Sequence, residues 1–158
     1  MKEALWKQFG AAIDMMENAL SECPEPLWNN GSNFWHIAYH TIFYLDYYLD
    51  TDPDRFAPPA PFTLSEFEDG EMPPKVYSKE ELIGYVRHCR EKCYRLIMDL
   101  DAAKMELRWK NPYRDYNRFE ILIYNMRHVQ HHTAQLNMLM RQGFNHAPNW
   151  VSRTRYGG

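Results

Sequence analysis

The chain has 158 residues, with 18 Lys and Arg against 21 Asp and Glu and 45% apolar residues. That length suits one domain able to bury a core without disulfides or metal, and the composition excludes a disordered chain. A formal net charge of −3 offers no overall basic field, so neither nucleic acid nor an anionic membrane is expected as a partner.

The first predicted helix spans about 3–21. Trp6, Phe9, Ile13, Met16 and Leu20 recur at spacings of three and four and form one apolar stripe. Pro24 and Pro26 end it. The second spans about 33–50, with Trp35, Ala38, Ile42, Leu45 and Leu49 on its stripe and Asn30 or Ser32 as N-cap. Residues 51–77 then read as an irregular crossover, because six of the ten prolines lie between Pro53 and Pro74. Neither a helix nor a central strand tolerates that density. Such a connection is long enough to run from one end of a bundle to the other, or to fold over a pocket mouth.

The third helix spans about 79–103. Ser78 and Glu81 fit a capping box, and Leu82, Tyr85, Val86, Cys89, Cys93, Leu96, Ile97 and Leu100 supply its apolar face. Trp109 to Tyr116 reads as a turn about Asn111-Pro112. The fourth helix spans about 118–142, entered at Asn117 with Glu120 three residues on and closed by Gly143. Residues 144–158 read as an irregular tail. No strand pattern competes, so the expected fold class is all-α, a single four-helix-bundle domain over 1–158. Cys23, Cys89 and Cys93 are too few for a disulfide framework and read as small buried hydrophobes. The start of the chain lacks a secretory pattern and no run approaches the ~18 apolar residues of a membrane span, so a cytoplasmic location is expected.

Five of the seven histidines fall in two short stretches, His36 and His40, then His128, His131 and His132. His36/His40 and His128/His132 are each spaced four apart, which on a helix lets two imidazoles address one centre. A pair on each of two bundle helices is a metal-site pattern. A heptad projection of the fourth helix places Ile121, Asn125, His128, His132, Gln135 and Leu139 on one seam. Four polar side chains on that seam are costly to bury unless each is satisfied. A metal would satisfy two imidazoles, and their second nitrogens would bond to carboxylates, amides or carbonyls. His131 lies about 100° round from His132 and belongs to a flank. His88 and His146 read as bystanders. No Glu stands three residues before any paired histidine, so a di-iron site is not supported.

Two stretches carry a resemblance. Trp35-His36-Ile37-Ala38-Tyr39-His40-Thr41-Ile42-Phe43-Tyr44-Leu45-Asp46 resembles the second helix of the DinB-like superfamily of metalloenzymes. Arg127-His128-Val129-Gln130-His131-His132-Thr133-Ala134-Gln135-Leu136 resembles its final bundle helix. The resemblance implies an up-down-down-up bundle with the long crossover between helices two and three. It implies a metal triad of His40, His128 and His132, with zinc or nickel as the ion, and a low-molecular-weight thiol such as bacillithiol or mycothiol as substrate. The Arg-Gly that often follows the last ligand in that family is Thr133-Ala134 here.

Three neutral imidazoles leave a coordination position open, where a thiol or a water is acidified. The expected function is therefore a metal-dependent enzyme on a small molecule, a small-thiol S-transferase or a hydrolase. His36, Asn125 and Gln135 are expected beside the ligands. His36, His131 and Asp46 are the candidates for acid–base catalysis. The alternative is a non-catalytic metal-binding or interaction module whose ion joins two helices. A homodimer is open, since aromatic-rich bundles often pair through a helix face.

Overall fold

Four long helices carry the fold in the computed structural model, which describes residues 1–68 and 70–155. They are α1 (Lys2–Glu22), α3 (Phe34–Tyr48), α4 (Lys79–Asp99) and α6 (Arg118–Phe144). Two single turns, α2 (Glu25–Trp28) and α5 (Ala102–Met105), two 3-10 turns at Pro53–Arg55 and Ser65–Phe67, and a hairpin of β1 (Arg108–Asn111) and β2 (Arg114–Asn117) complete the elements among the described residues. The protein is thus mostly helical. Among the described residues, no helix is long and apolar enough to cross a membrane.

Each long helix buries its apolar stripe against two neighbours. α1 lies against α4 and α6, and α3 lies against the same two. Lys2 donates to the Met98 carbonyl, Trp6 packs on Tyr94, and Glu17 pairs with Arg87. Residue numbers therefore run in opposite senses along α1 and α4. They also oppose along α3 and α6, where His40 meets His132 and Tyr48 meets Tyr124. Phe9, Ile13, Met16, Ile42, Leu45, Val86, Ile97, Ile121, Val129 and Leu136 fill the centre with no exposure.

One charged cluster is embedded in this core. Asp46 is 1% exposed. It accepts hydrogen bonds from Lys92 Nζ at 2.6 Å and from the Tyr85 hydroxyl at 2.9 Å. Lys92 also reaches Asp50 at 3.2 Å. A carboxylate this deep needs such partners.

Several helix ends differ from the sequence expectation. The capping box of α4 forms between Ser78 and Glu81, and Asn117 caps α6 by accepting from the Glu120 N–H. α3, however, is entered at Asn33, not at Asn30 or Ser32, with Asn33 in the left-handed region at φ 57°. Asparagine is among the few residues that visit this region readily. α6 runs through Gly143 and stops at Asn145, again left-handed at φ 52°. The third predicted helix breaks after Asp99, because Asp101 caps the separate turn α5 by accepting from the Lys104 N–H.

The expected turn at Trp109–Tyr116 is an antiparallel hairpin, with Trp109 opposite Tyr116. Asn111 Oδ1 accepts from the N–H groups of Tyr113 and Arg114 and closes the reversal. Arg108 bonds Asp115 across the strands, and Trp109, 1% exposed, packs on Tyr47 and Tyr48.

Past Asn145 the described part of the tail has neither helix nor strand, yet it is docked. The Thr154 N–H donates to the Lys7 carbonyl, and Arg90 donates to the Thr154 hydroxyl. Gly10 permits that approach: a Cβ there would lie 2.6 Å from Thr154 Cγ2. Residues 156–158 of the expected tail lie outside the described residues.

Candidate metal centre

The crossover is laid along α3 by aromatic residues. The Tyr39 hydroxyl donates to the Thr63 carbonyl at 2.6 Å, and the Tyr44 hydroxyl donates to the Glu66 carbonyl at 2.9 Å. Phe62 stacks on Tyr85, and Phe67 meets Phe43 and Tyr47. The 3-10 turn Ser65–Phe67 thereby sets the Glu66 side chain, 5% exposed, against two histidines of α3. His36 Nε2 donates to Glu66 Oε1 at 2.8 Å, and His40 Nδ1 donates to Oε2 at 2.7 Å. Burial would raise the Glu66 carboxyl, but the hydrogen bonds from His40 and His36 outweigh it and hold the group below the usual carboxylate range. Glu66 is therefore an anionic double acceptor.

Across from it, α6 contributes His128 and His132. The ring centroids of His40 lie 5.4 Å from His128 and 4.8 Å from His132, and those of His128 and His132 lie 4.5 Å apart. One ring nitrogen from each of the three falls within 4.8 Å of the others, so this trio could hold a metal ion. Packing α3 against α6 in opposite senses brings together residues 88 and 92 positions apart.

The hydrogen bonds select which nitrogens are free. An ionised carboxylate only accepts, so His40 carries its proton on Nδ1 and keeps a lone pair on Nε2. His132 Nδ1 lies 2.7 Å from the Gln135 side-chain oxygen, which likewise accepts and leaves Nε2 of His132 with the lone pair. His128 Nδ1 is buried with no hydrogen-bond partner among the described residues. Burial and then the neighbouring His132 and His40 push His128 down to about 3. Burial lowers His132 as well, against the opposing bond from Gln135. Lone pairs on Nε2 of His40 and His132, beside an orphaned ring nitrogen of His128, fit a divalent cation in donor type.

The other expected site residues divide. His36 reaches Glu66 and is not one of the trio. Gln135 holds His132 but is exposed. The heptad projection placed it inside, whereas the buried stripe of α6 runs through Ile121, Asn125, Val129, Leu136 and Met140, one flank over. Asn125 lies in the core with no exposure and donates to the Leu45 carbonyl. Asp46 belongs to the Lys92–Tyr85 cluster and is not brought to the metal centre. His131 is exposed, with its ring 4.9 Å from His132. His88 makes no part of the centre, and His146 pairs with Glu22 on the surface.

Glu66 is the residue that sequence reasoning missed. The available signal was indirect: two histidines four apart, each needing an acceptor for its second nitrogen. Glu66→Gln is expected to weaken metal binding about 10- to 100-fold, because an amide offers one acceptor and no charge. Competition with a chromophoric chelator measures this, with Glu71→Gln on the exposed part of the crossover as the control. Equal affinity in the two variants would remove Glu66 from the site.

An open cleft of about 790 Å³ borders the centre. His36, His40, His131 and His132 line one side, and Ile37, Ala134, Met138 and Leu139 give it an apolar wall.

A family model of the DinB superfamily matches residues 3–136. No curated protein and no solved structure matches the chain significantly. The match covers most of the 158 residues, including all three histidines of the trio, and the chain belongs to the DinB superfamily.

Proposed function

We propose that the protein is a metal-dependent enzyme that holds one divalent ion, zinc or nickel, on His40, His128 and His132 and acts on a small molecule. The substrate is a low-molecular-weight thiol in a transferase reaction, or water serves as nucleophile in a hydrolase reaction. One observation carries this reading above a purely structural ion: among the described residues three imidazoles, not four protein ligands, could hold it, and two of them, His40 and His132, line an open cleft. When bound, the ion acidifies a thiol or water at its remaining position.

The chain's own groups do the rest. Glu66 fixes the tautomer and orientation of His40, and Gln135 does so for His132. The apolar wall of Ile37, Met138 and Leu139 receives the body of the substrate and lowers its hydration. His36 is already committed to Glu66. His131, which lines the cleft, is the group placed to exchange a proton with solvent. The same reading takes the four long helices as an up-down-down-up bundle, supported by opposed contacts between α1 and α4 and between α3 and α6. It leaves nucleic acid and membrane out as partners and places the protein in the cytoplasm.

The test is a panel of thiols with an electrophile, and of activated esters, assayed against metal content. Turnover is expected to track loaded zinc or nickel and to disappear with His128→Ala. Full loading without turnover on either class would leave the ion a structural role and overturn the enzymatic reading.

A further inference from the structure

At the other end of the bundle, a second cleft of about 1020 Å³ opens between the end of α3, α4 and the start of α6. Arg118, the first residue of α6, stands ten residues before His128, about 15 Å along the helix axis. The two clefts share no lining residue.

Arg118 is 7% exposed, lines this cleft, and has its Nε buried with no hydrogen-bond partner among the described residues. That is unusual. Buried polar groups are nearly always paired, and a desolvated guanidinium without acceptors is costly. The surrounding cations are not in the same position. Lys92 holds Asp46 at 2.6 Å, Arg95 holds Glu91 at 2.8 Å, Lys104 holds Asp99 at 2.7 Å, and Arg108 holds Asp115 at 2.7 Å. Asp50, the acid whose charge bears on Arg118, is engaged by Lys92 at 3.2 Å. Burial pulls the guanidinium down from its ordinary value, and Asp50 only partly opposes this. Beside this guanidinium with its unpaired Nε lie Leu49, Leu96, Leu100 and Leu107. Leu49 and Leu100 form a closed floor at 1% and 2% exposure, and Leu107 stands at the mouth at 54%.

We propose that this cleft is a second ligand site, taking a small carboxylate with an apolar body: the carboxylate on Arg118, the alkyl or aryl part along the leucines. A guanidinium fork matches a carboxylate in a bidentate way. A phosphate dianion offers the same acceptors but would face Asp50, Glu91 and Asp99 on the same walls. One unmatched guanidinium among otherwise paired charges selects a single negative charge.

The test uses octanoate, with octan-1-ol as the uncharged control and inorganic phosphate as the competing anion. Octanoate is expected to give saturable amide shifts at residues 96, 100, 107 and 118, unchanged after chelation of metal. Octan-1-ol is expected to bind about tenfold or more weakly, the worth of a charge-assisted hydrogen bond. Arg118→Leu should lose octanoate by a similar factor. Leu107→Glu, a change at the exposed mouth that leaves the core alone, should weaken it too by placing a carboxylate against the ligand. Equal binding of octanoate and octan-1-ol, retained affinity in Arg118→Leu, shifts confined to the His40 cleft, or displacement of octanoate by phosphate would each overturn the proposal.

Discussion

Replacing His132 with alanine is expected to abolish tight binding of one divalent ion, and His40→Ala and His128→Ala should do the same. A zinc site of about 10–16 kcal/mol built on four ligands draws roughly 3 kcal/mol from each, so one lost imidazole weakens binding a hundredfold or more, as an order of magnitude. The loss cannot be recovered locally. Glu66 is consumed by His36 and His40, and His131 contributes no nitrogen to the trio. Nor do protons compete strongly with the ion at His128 near neutral pH, because burial and adjacent imidazoles hold that ring down near 3. Elemental analysis of the purified variants checks this. A full equivalent of metal in all three would dismiss the centre.

Asp46→Ala is expected to cost about 2–4 kcal/mol of stability, the range for removing one partner of a buried ion pair, reduced here because Lys92 keeps Asp50. The Tyr85 hydroxyl, on a residue 2% exposed, loses its acceptor at the same time. For a chain of this size that amounts to a fall in melting temperature of roughly 4–16 °C. Urea unfolding measures the change, and metal content should stay at one equivalent. A wild-type midpoint, or loss of metal with the fold intact, would contradict the assignment of Asp46 to the core. The variant thus separates two roles for a residue that the sequence alone placed among catalytic candidates.

The long helices were readable because each holds a 3.6-residue apolar period over many turns, as from Trp6 to Leu20. The histidines were readable because their spacing is itself helical. The hairpin was not. Along Arg108–Asn111 and Arg114–Asn117 only Trp109 is buried, so no alternation of apolar residues marks the strands. Its stability comes from Asn111 in the turn and from packing on Tyr47 and Tyr48, which are distant in sequence. Glu66 was hidden for a similar reason. It sits in an acidic stretch with Glu68 and Glu71, and only the anchoring of the crossover by Tyr39 and Tyr44 separates it from them. Gln135 was placed on the right residue's flank but at the wrong depth, because a heptad seam and the true 3.6-residue stripe diverge along a helix of 27 residues.

The aromatic packing around the centre has an optical consequence. The rings of Tyr44 and Tyr48 lie 5.7 and 5.8 Å from His128, and Trp35 lies 5.5 Å from His36. An ion on the trio would sit within quenching range of fluorophores the chain already carries. A d¹⁰ ion such as zinc has no partly filled shell to accept their excitation, whereas nickel does. Ultraviolet emission of the unlabelled protein should therefore fall when nickel fills the centre and hold when zinc does.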